Sequence, residues 1–101
     1  MKNDKENLDV LINIQKNPIR NQRNLAKSLG FSLGKLNYII KSLKQKGYIK
    51  VKNFQNNPKK MNYFYYLTPK GLTKKTKLAI NYLNRLNKEY EKIQSEIKRQ
   101  N

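Results

Sequence analysis

NQRNLAKSLGFSLGKLNYIIKSLKQ, residues 21–45, holds two helical patterns joined by a tight break. In the first pattern Leu25, Ala26 and Leu29 share one face, and Gly30 follows as the residue type that ends a helix in the left-handed conformation. Ser32 has the form of an N-cap, its hydroxyl accepting from a free amide of the next turn. Leu33, Leu36, Ile39, Ile40 and Leu43 then recur at helical spacing, which predicts one inward stripe and one outward stripe until Gly47 closes the helix. Ala26 is small where the two helices would cross, Gly30 supplies the turn, and Leu36 and Ile39 fall where the second helix packs back. Two helices meeting at roughly 90–120° through a short turn need this arrangement. A plain three-helix core with chance spacing is the competing reading.

Upstream, Leu8, Leu11, Ile12 and Ile14, with Val10 alongside, predict a short helix that stops before Asn17-Pro18. Its acids lie near its beginning, where the helix dipole favours them. Downstream, Ile49 and Val51 alternate with Lys50 and Lys52, a turn-rich stretch runs from Gln55 to Lys60, and an aromatic run follows from Tyr63 to Leu67. That is a hairpin. The aromatic run reads better as sheet filling core against helices than as a platform for stacked bases. Thr68-Pro69 starts a last helix that only Gly71, near its beginning, could weaken. From Pro69 to Gln100 it would span about 48 Å, too long to fold back on so small a domain. Helix, helix, helix, hairpin, helix is the order of a winged helix-turn-helix. The expected fold class is mainly α (α+β), with that domain over residues 5–68 and a long C-terminal coiled-coil dimerisation helix over residues 69–101.

The outward stripe of the third helix is Gly34, Lys35, Asn37, Tyr38, Lys41 and Lys44, residue types that suit a major groove. Asn37 can bind an adenine edge with two hydrogen bonds, Lys35 and Lys41 can reach guanine acceptors or phosphates, and Tyr38 can donate to either. Gly34 costs about 1 kcal/mol against alanine in a helix, which suggests close approach to a groove or, equally, a packing need. Arg20, Gln22, Arg23 and Lys27 stand around the start of helix two, where phosphate contacts position a reading head. Lys59 and Lys60 sit at the hairpin tip, and with no arginine there phosphate contact is expected rather than groove readout. For any single lysine, a solvated surface charge is the alternative.

In the last helix Leu72, Thr76, Ala79, Leu83, Leu86, Tyr90, Ile93 and Ile97 step by four and three without a break, a heptad seam that calls for a partner helix. Leu78, Ile80 and Tyr82 widen its first half, as if that part also touched the globular domain. A homodimer through this helix is expected, with Leu72, Ala79, Leu83, Leu86, Tyr90, Ile93 and Ile97 as the contact residues. Antiparallel pairing sets Lys75 against Glu96 of the other chain, a slight preference that leaves both orientations open.

Charge gives the reason for a reading head. From Val10 to Lys88 there is no aspartate or glutamate, while eighteen lysines and arginines fall in the same 79 residues. The formal net charge is +17. Lysine (19) and asparagine (15) make up a third of the 101 residues, as codon drift towards A+T would produce, but drift would not remove acids. A long surface of one sign repels itself, and a polyanionic partner is the usual reason for it. With no cysteine and no histidine the chain lacks the common metal ligands, thiol chemistry and the usual general base. The expectation is no enzyme, no cofactor and no metal site. No apolar run approaches a membrane span, and no apolar signal region follows Met1, so a cytoplasmic, nucleoid-associated protein is expected.

Three pieces carry a resemblance: residues 21–38 quoted above, Lys46-Gly-Tyr-Ile-Lys-Val51, and Tyr66-Leu-Thr-Pro-Lys-Gly71. The chain resembles the MarR class of winged-helix transcriptional regulators, and within it the small exopolysaccharide (EPS)-associated branch found beside surface-polysaccharide genes. The resemblance implies a dimeric DNA-binding regulator, a repressor or accessory regulator of such a cluster. It places the recognition role on Ser32, Gly34, Lys35, Asn37, Tyr38 and Lys41. The chain departs from larger MarR proteins by lacking extra dimerisation helices before Leu8 and the usual wing arginine. Their phenolic effector pocket lies between the dimerisation and DNA-binding parts, so no small-molecule effector is assigned.

The expected function is therefore sequence-specific binding of double-stranded DNA by a homodimer on a palindromic operator. Half-site centres roughly 10 bp apart are the default, which a long antiparallel coil could stretch to two turns. The rivals are a chromatin-architectural winged-helix protein with little sequence specificity and a basic adaptor that docks an acidic protein.

Overall fold

The computed structural model describes residues 3–53 and 62–100. Their elements run in the order α1 (Asp4–Lys16), β1 (Ile19–Asn21), α2 (Gln22–Leu29), α3 (Leu33–Gln45), β2 (Ile49–Asn53), β3 (Asn62–Leu67) and α4 (Pro69–Gln100). The expected winged helix-turn-helix with a long final helix is what forms. The principal extents of 64 × 26 × 20 Å show how far α4 runs past the globular part. No described helix is long and apolar enough to cross a membrane.

One core joins the elements. Val10, Leu11 and Ile14 of α1 meet Leu25 of α2, Leu36 and Leu43 of α3, Ile49 of β2 and Tyr65 of β3, all essentially sealed from solvent. Leu78 of α4 belongs to the same cluster, with Ala79 and Tyr82 packed against its edge. Each such aliphatic side chain contributes about 1.5–3 kcal/mol by leaving water. In α1, Asp4 and Glu6 occupy the first turn as the dipole prefers. Lys5 pairs with Asp9 one turn on at 2.7 Å, and that hydrogen bond raises the Lys5 pKa above its ordinary value. Its ammonium also lies over the Tyr82 ring, tying α1 to α4.

Three details of the sheet and of α3 differ from expectation. Ile19–Asn21 forms a third strand, giving a sheet of order β1-β3-β2 with both pairings antiparallel. Its register sets Ile19 opposite Phe64, and Tyr65 N–H donates to Pro18 C=O at 2.7 Å just beyond it. A three-residue strand has too few positions to show a period, so only its partner reveals it. Leu33, expected in the inward stripe, is 39% exposed because it opens α3 on the solvent side of the turn. Among the described side chains of the aromatic run, Phe64 to Leu67, only Tyr65 is fully buried; Phe64 and Tyr66 share the other sheet face, with ring centroids 5.7 Å apart. Alternation along a strand allows nothing else.

The joint between the hairpin and α4 is closely built. Gly71 N–H donates to Thr68 Oγ1 at 3.0 Å, the expected N-cap, while Thr68 N–H donates to Tyr48 C=O at 3.0 Å. The Thr68 hydroxyl also donates to Gly47 C=O. Lys70 and Lys74 stand over the Tyr48 ring at 5.4 and 5.8 Å. Thus the start of α4 is fastened to the turn that ends α3.

Along α4 two faces separate. At about 100° per residue, Gly71, Leu78 and Tyr82 lie roughly a third of a turn from the line through Leu72, Thr76, Leu83 and Tyr90. The first group meets the core, and the second faces outward. Ile80, expected to help touch the domain, is 52% exposed on the outward side.

Candidate nucleic-acid interface

The turn between α2 and α3 is fixed from both ends. Asn21 caps α2 by accepting from Asn24 N–H at 2.9 Å. Gly30 takes φ 73°, and Phe31 N–H reaches back to Ala26 C=O at 2.9 Å. Ser32 Oγ accepts from Lys35 N–H at 3.1 Å and opens α3. Ser32 Oγ therefore accepts one bond as a cap, which leaves its O–H donor and a second lone pair for a ligand.

From this turn α3 projects an outward stripe. Leu36 and Leu43 lie on its buried side, and Gly34, Asn37, Tyr38, Lys41 and Lys44 are all exposed on the other. Tyr38 is 71% exposed, a large aromatic held in water. A Cβ built at Gly34 would meet nothing within 4 Å, so no packing need within the described chain accounts for that glycine. No acid stands on this stripe.

Lys35 is different. It sits on the flank of α3 nearest α1, where its ammonium pairs with the Glu6 carboxylate and lies 4.8 Å from the centre of the Phe31 ring. The Glu6 side chain is only 24% exposed, so the pair is partly shielded from water. Lys35 thus pairs its charge within the chain while its side chain stays half exposed, a tertiary contact that helical spacing alone could not reveal.

Around the stripe, Arg23 is exposed and Gln22 half-buried in the first turn of α2. Arg20 lies in β1 with its backbone opposite Tyr63. Lys59 and Lys60, the expected wing-tip contacts, lie outside the described residues. Lys50 and Lys52 were not singled out as site residues, although alternation with Ile49 and Val51 marks them as outward. With Lys44, Tyr66 and Thr68 they line an open hollow of about 300 Å³ between the end of α3 and the sheet. The positive surface therefore continues from α3 onto the hairpin.

A family model described as winged helix-turn-helix DNA-binding matches residues 4–50. No curated protein sequence matches the chain. Among solved structures, the PcaV transcriptional regulator from Streptomyces coelicolor in complex with its natural ligand superposes with a TM-score of 0.71 at 18% identity, over 84% of this chain and 58% of that one. AbsC, a MarR family transcriptional regulator from the same organism, gives 0.70 at 16% identity, over 88% and 60%. A mutant MarR from E. coli complexed with operator DNA gives 0.60 at 23% identity, over 72% and 51%. The chain spans between about half and three fifths of the length of these proteins. In architecture, then, this chain is a winged helix-turn-helix of the form shared by solved MarR-family regulators.

Proposed function

We propose that the chain is a sequence-specific double-stranded DNA-binding transcriptional regulator of the MarR class, working as a homodimer through α4 on a palindromic operator. The observation that carries this reading is the exposed, acid-free stripe of α3 behind a fixed turn. Asn37 and Tyr38 supply base-edge donors and acceptors there, while Lys41 and Lys44 supply charge. Arg23 and the lysines of the hairpin extend the contact to phosphates, which position the head without reading sequence. The similar E. coli MarR was solved with operator DNA, which supports duplex DNA as the partner here. The resemblance to the EPS-associated branch makes a surface-polysaccharide cluster the first place to seek the operator, with repression the expected sense.

The test is log affinity against log salt for a genomic operator and for random DNA. With about 6–10 phosphate contacts both lines should be steep, near −0.9 per contact, and the operator line should lie well above the other. Equal affinity for both would leave an architectural protein that coats DNA. No DNA retention at low salt would leave an adaptor for an acidic protein.

Two substitutions sharpen this. Gly34→Ala should stabilise the fold by about 0.5–1 kcal/mol through helix propensity, since nothing obstructs the new methyl. The same change should weaken operator binding if the α3 backbone approaches a groove closely; a variant both more stable and equally tight would remove that role from Gly34. Glu6→Gln should release Lys35 from its pair. Affinity should then rise for every sequence, and the salt slope should steepen by about 0.9, one further phosphate contact. Unchanged affinity and slope would show Lys35 has no reach to the duplex.

A further inference from the structure

The outward seam of α4 has the same spacing read from either end. Its eight positions are symmetric about the Asn84–Arg85 bond, so head-to-tail pairing of two copies matches Leu72 with Ile97, Thr76 with Ile93, Ala79 with Tyr90, and Leu83 with Leu86. Within that order the small residues, Thr76 and Ala79, fall in the first half. The bulky Tyr90, Ile93 and Ile97 fall in the second, each more than half exposed in the single chain. The first half also carries a shallow hollow of about 350 Å³ lined by Leu72, Thr73, Thr76, Lys77 and Ile80. We propose that the occupant of this face is a second copy of the same chain, with the two α4 helices antiparallel in this register. This rests on the reading that the chain dimerises through α4 and adds the orientation.

Size and charge both choose it. Antiparallel, each Ala79 lies under a Tyr90, and Ile93 and Ile97 of the partner subunit fill the hollow. Parallel and in register, Ala79 meets Ala79 and leaves a gap, while two Tyr90 rings crowd one layer. Voids and overpacking both destabilise a seam. On the flank nearest α1, antiparallel pairing sets Lys75 against Glu96 of the partner subunit, twice by symmetry. It also brings Glu89 of the partner subunit to Tyr82, beside the Lys5 ammonium. Lys75 already points along this flank, bonded to Gln15 of α1. In a parallel coil the facing flank positions pair Lys75 with Ile80, Tyr82 with Asn87 and Glu89 with Gln94, none of opposite charge. All acids of α4 lie beyond residue 88, while residues 70–88 carry only basic charge, so head-to-tail pairing also relieves repulsion between the two basic halves. The two Leu72 positions then stand about 38 Å apart along the coil, close to the roughly 34–36 Å of one DNA turn.

The chain has no cysteine, so introduced thiols are unique reporters. Thr76→Cys and Ile93→Cys variants of the full chain are oxidised alone and after mixing under reducing conditions, and sedimentation at the same micromolar concentration is recorded. The expected result is a disulfide in the mixture joining residue 76 of one chain to residue 93 of the other, with little in either variant alone. The two copies of residue 76 would lie about 26 Å apart in the antiparallel coil. A disulfide within each variant alone means a parallel coil and overturns the register while the dimer stands. A dimer by sedimentation with no disulfide of either kind places the contact elsewhere and also overturns it. A 12 kDa particle in every sample overturns dimerisation itself. As a second readout, Lys75→Glu should weaken the dimer about tenfold, and adding Glu96→Lys to the same chain should restore it. A double variant as weak as the single one would overturn the pairing.

Discussion

Gly71→Ala is expected to destabilise the protein by about 3 kcal/mol or more, lowering the thermal midpoint by roughly 10–20 °C. Helix propensity alone predicts the reverse, since alanine is favoured over glycine by about 1 kcal/mol inside a helix. Space decides the sign. A Cβ at residue 71 would lie 1.9 Å from the carbonyl oxygen of Tyr48 and 2.8 Å from its carbon, both backbone atoms that cannot swing aside. Relief requires α4 to move off the α3–β2 turn, which breaks the Thr68 N–H bond to Tyr48 and loosens Lys70 and Lys74 from the tyrosine ring. Urea unfolding of Gly71→Ala beside Gly34→Ala makes the comparison internal, because the same chemical change should lower stability at one site and raise it at the other. A Gly71→Ala midpoint at or above that of the unchanged chain would mean that α4 is not seated on Tyr48. The same joint links the outward seam of α4 to the end of α3, so in the proposed dimer a displaced α4 would also change the separation of the two α3 helices.

Much of this fold is written in short-range signals. Gly30 in the left-handed region, Ser32 and Thr68 as caps, and Leu36, Ile39, Ile40 and Leu43 as an inward stripe each need only a few neighbouring residues to be read. The outward stripe of α3 is legible for the same reason, being what remains when the apolar positions face in. What escapes is non-local. Gly71 reads as a weak spot in a helix until Tyr48, 23 positions earlier, is found against it. Lys35 reads as a free cation until α1 folds Glu6 beside it. Strand β1 is invisible without β3. Charge asymmetry behaves likewise: the sequence shows where acids are missing, but only the fold shows that one of the few remaining acids neutralises a lysine of α3.

Leu36→Ala, one residue from a position where the same change should leave the fold intact, is expected to unfold much of the head at growth temperature. Leu36 is 0% exposed, at the layer where α3 meets the rest of the core. Removing its branched end loses transfer free energy and leaves a cavity, together about 2–5 kcal/mol. A domain this small rarely holds more than the lower part of the usual 5–15 kcal/mol range, so most of its stability is at stake. Asn37 points outward, and Asn37→Ala should change stability by no more than about 0.5 kcal/mol while flattening preference at one base position by about 1–3 kcal/mol. The pair separates folding from reading. Leu36→Ala should lower the urea midpoint sharply, and at temperatures where it remains folded its operator preference should persist. Asn37→Ala should unfold normally and bind operator and altered operator nearly alike. A stable Leu36→Ala protein, or an Asn37→Ala protein with undiminished preference, would mean that α3 presents a different face to the duplex than the stripe through Gly34, Tyr38 and Lys41.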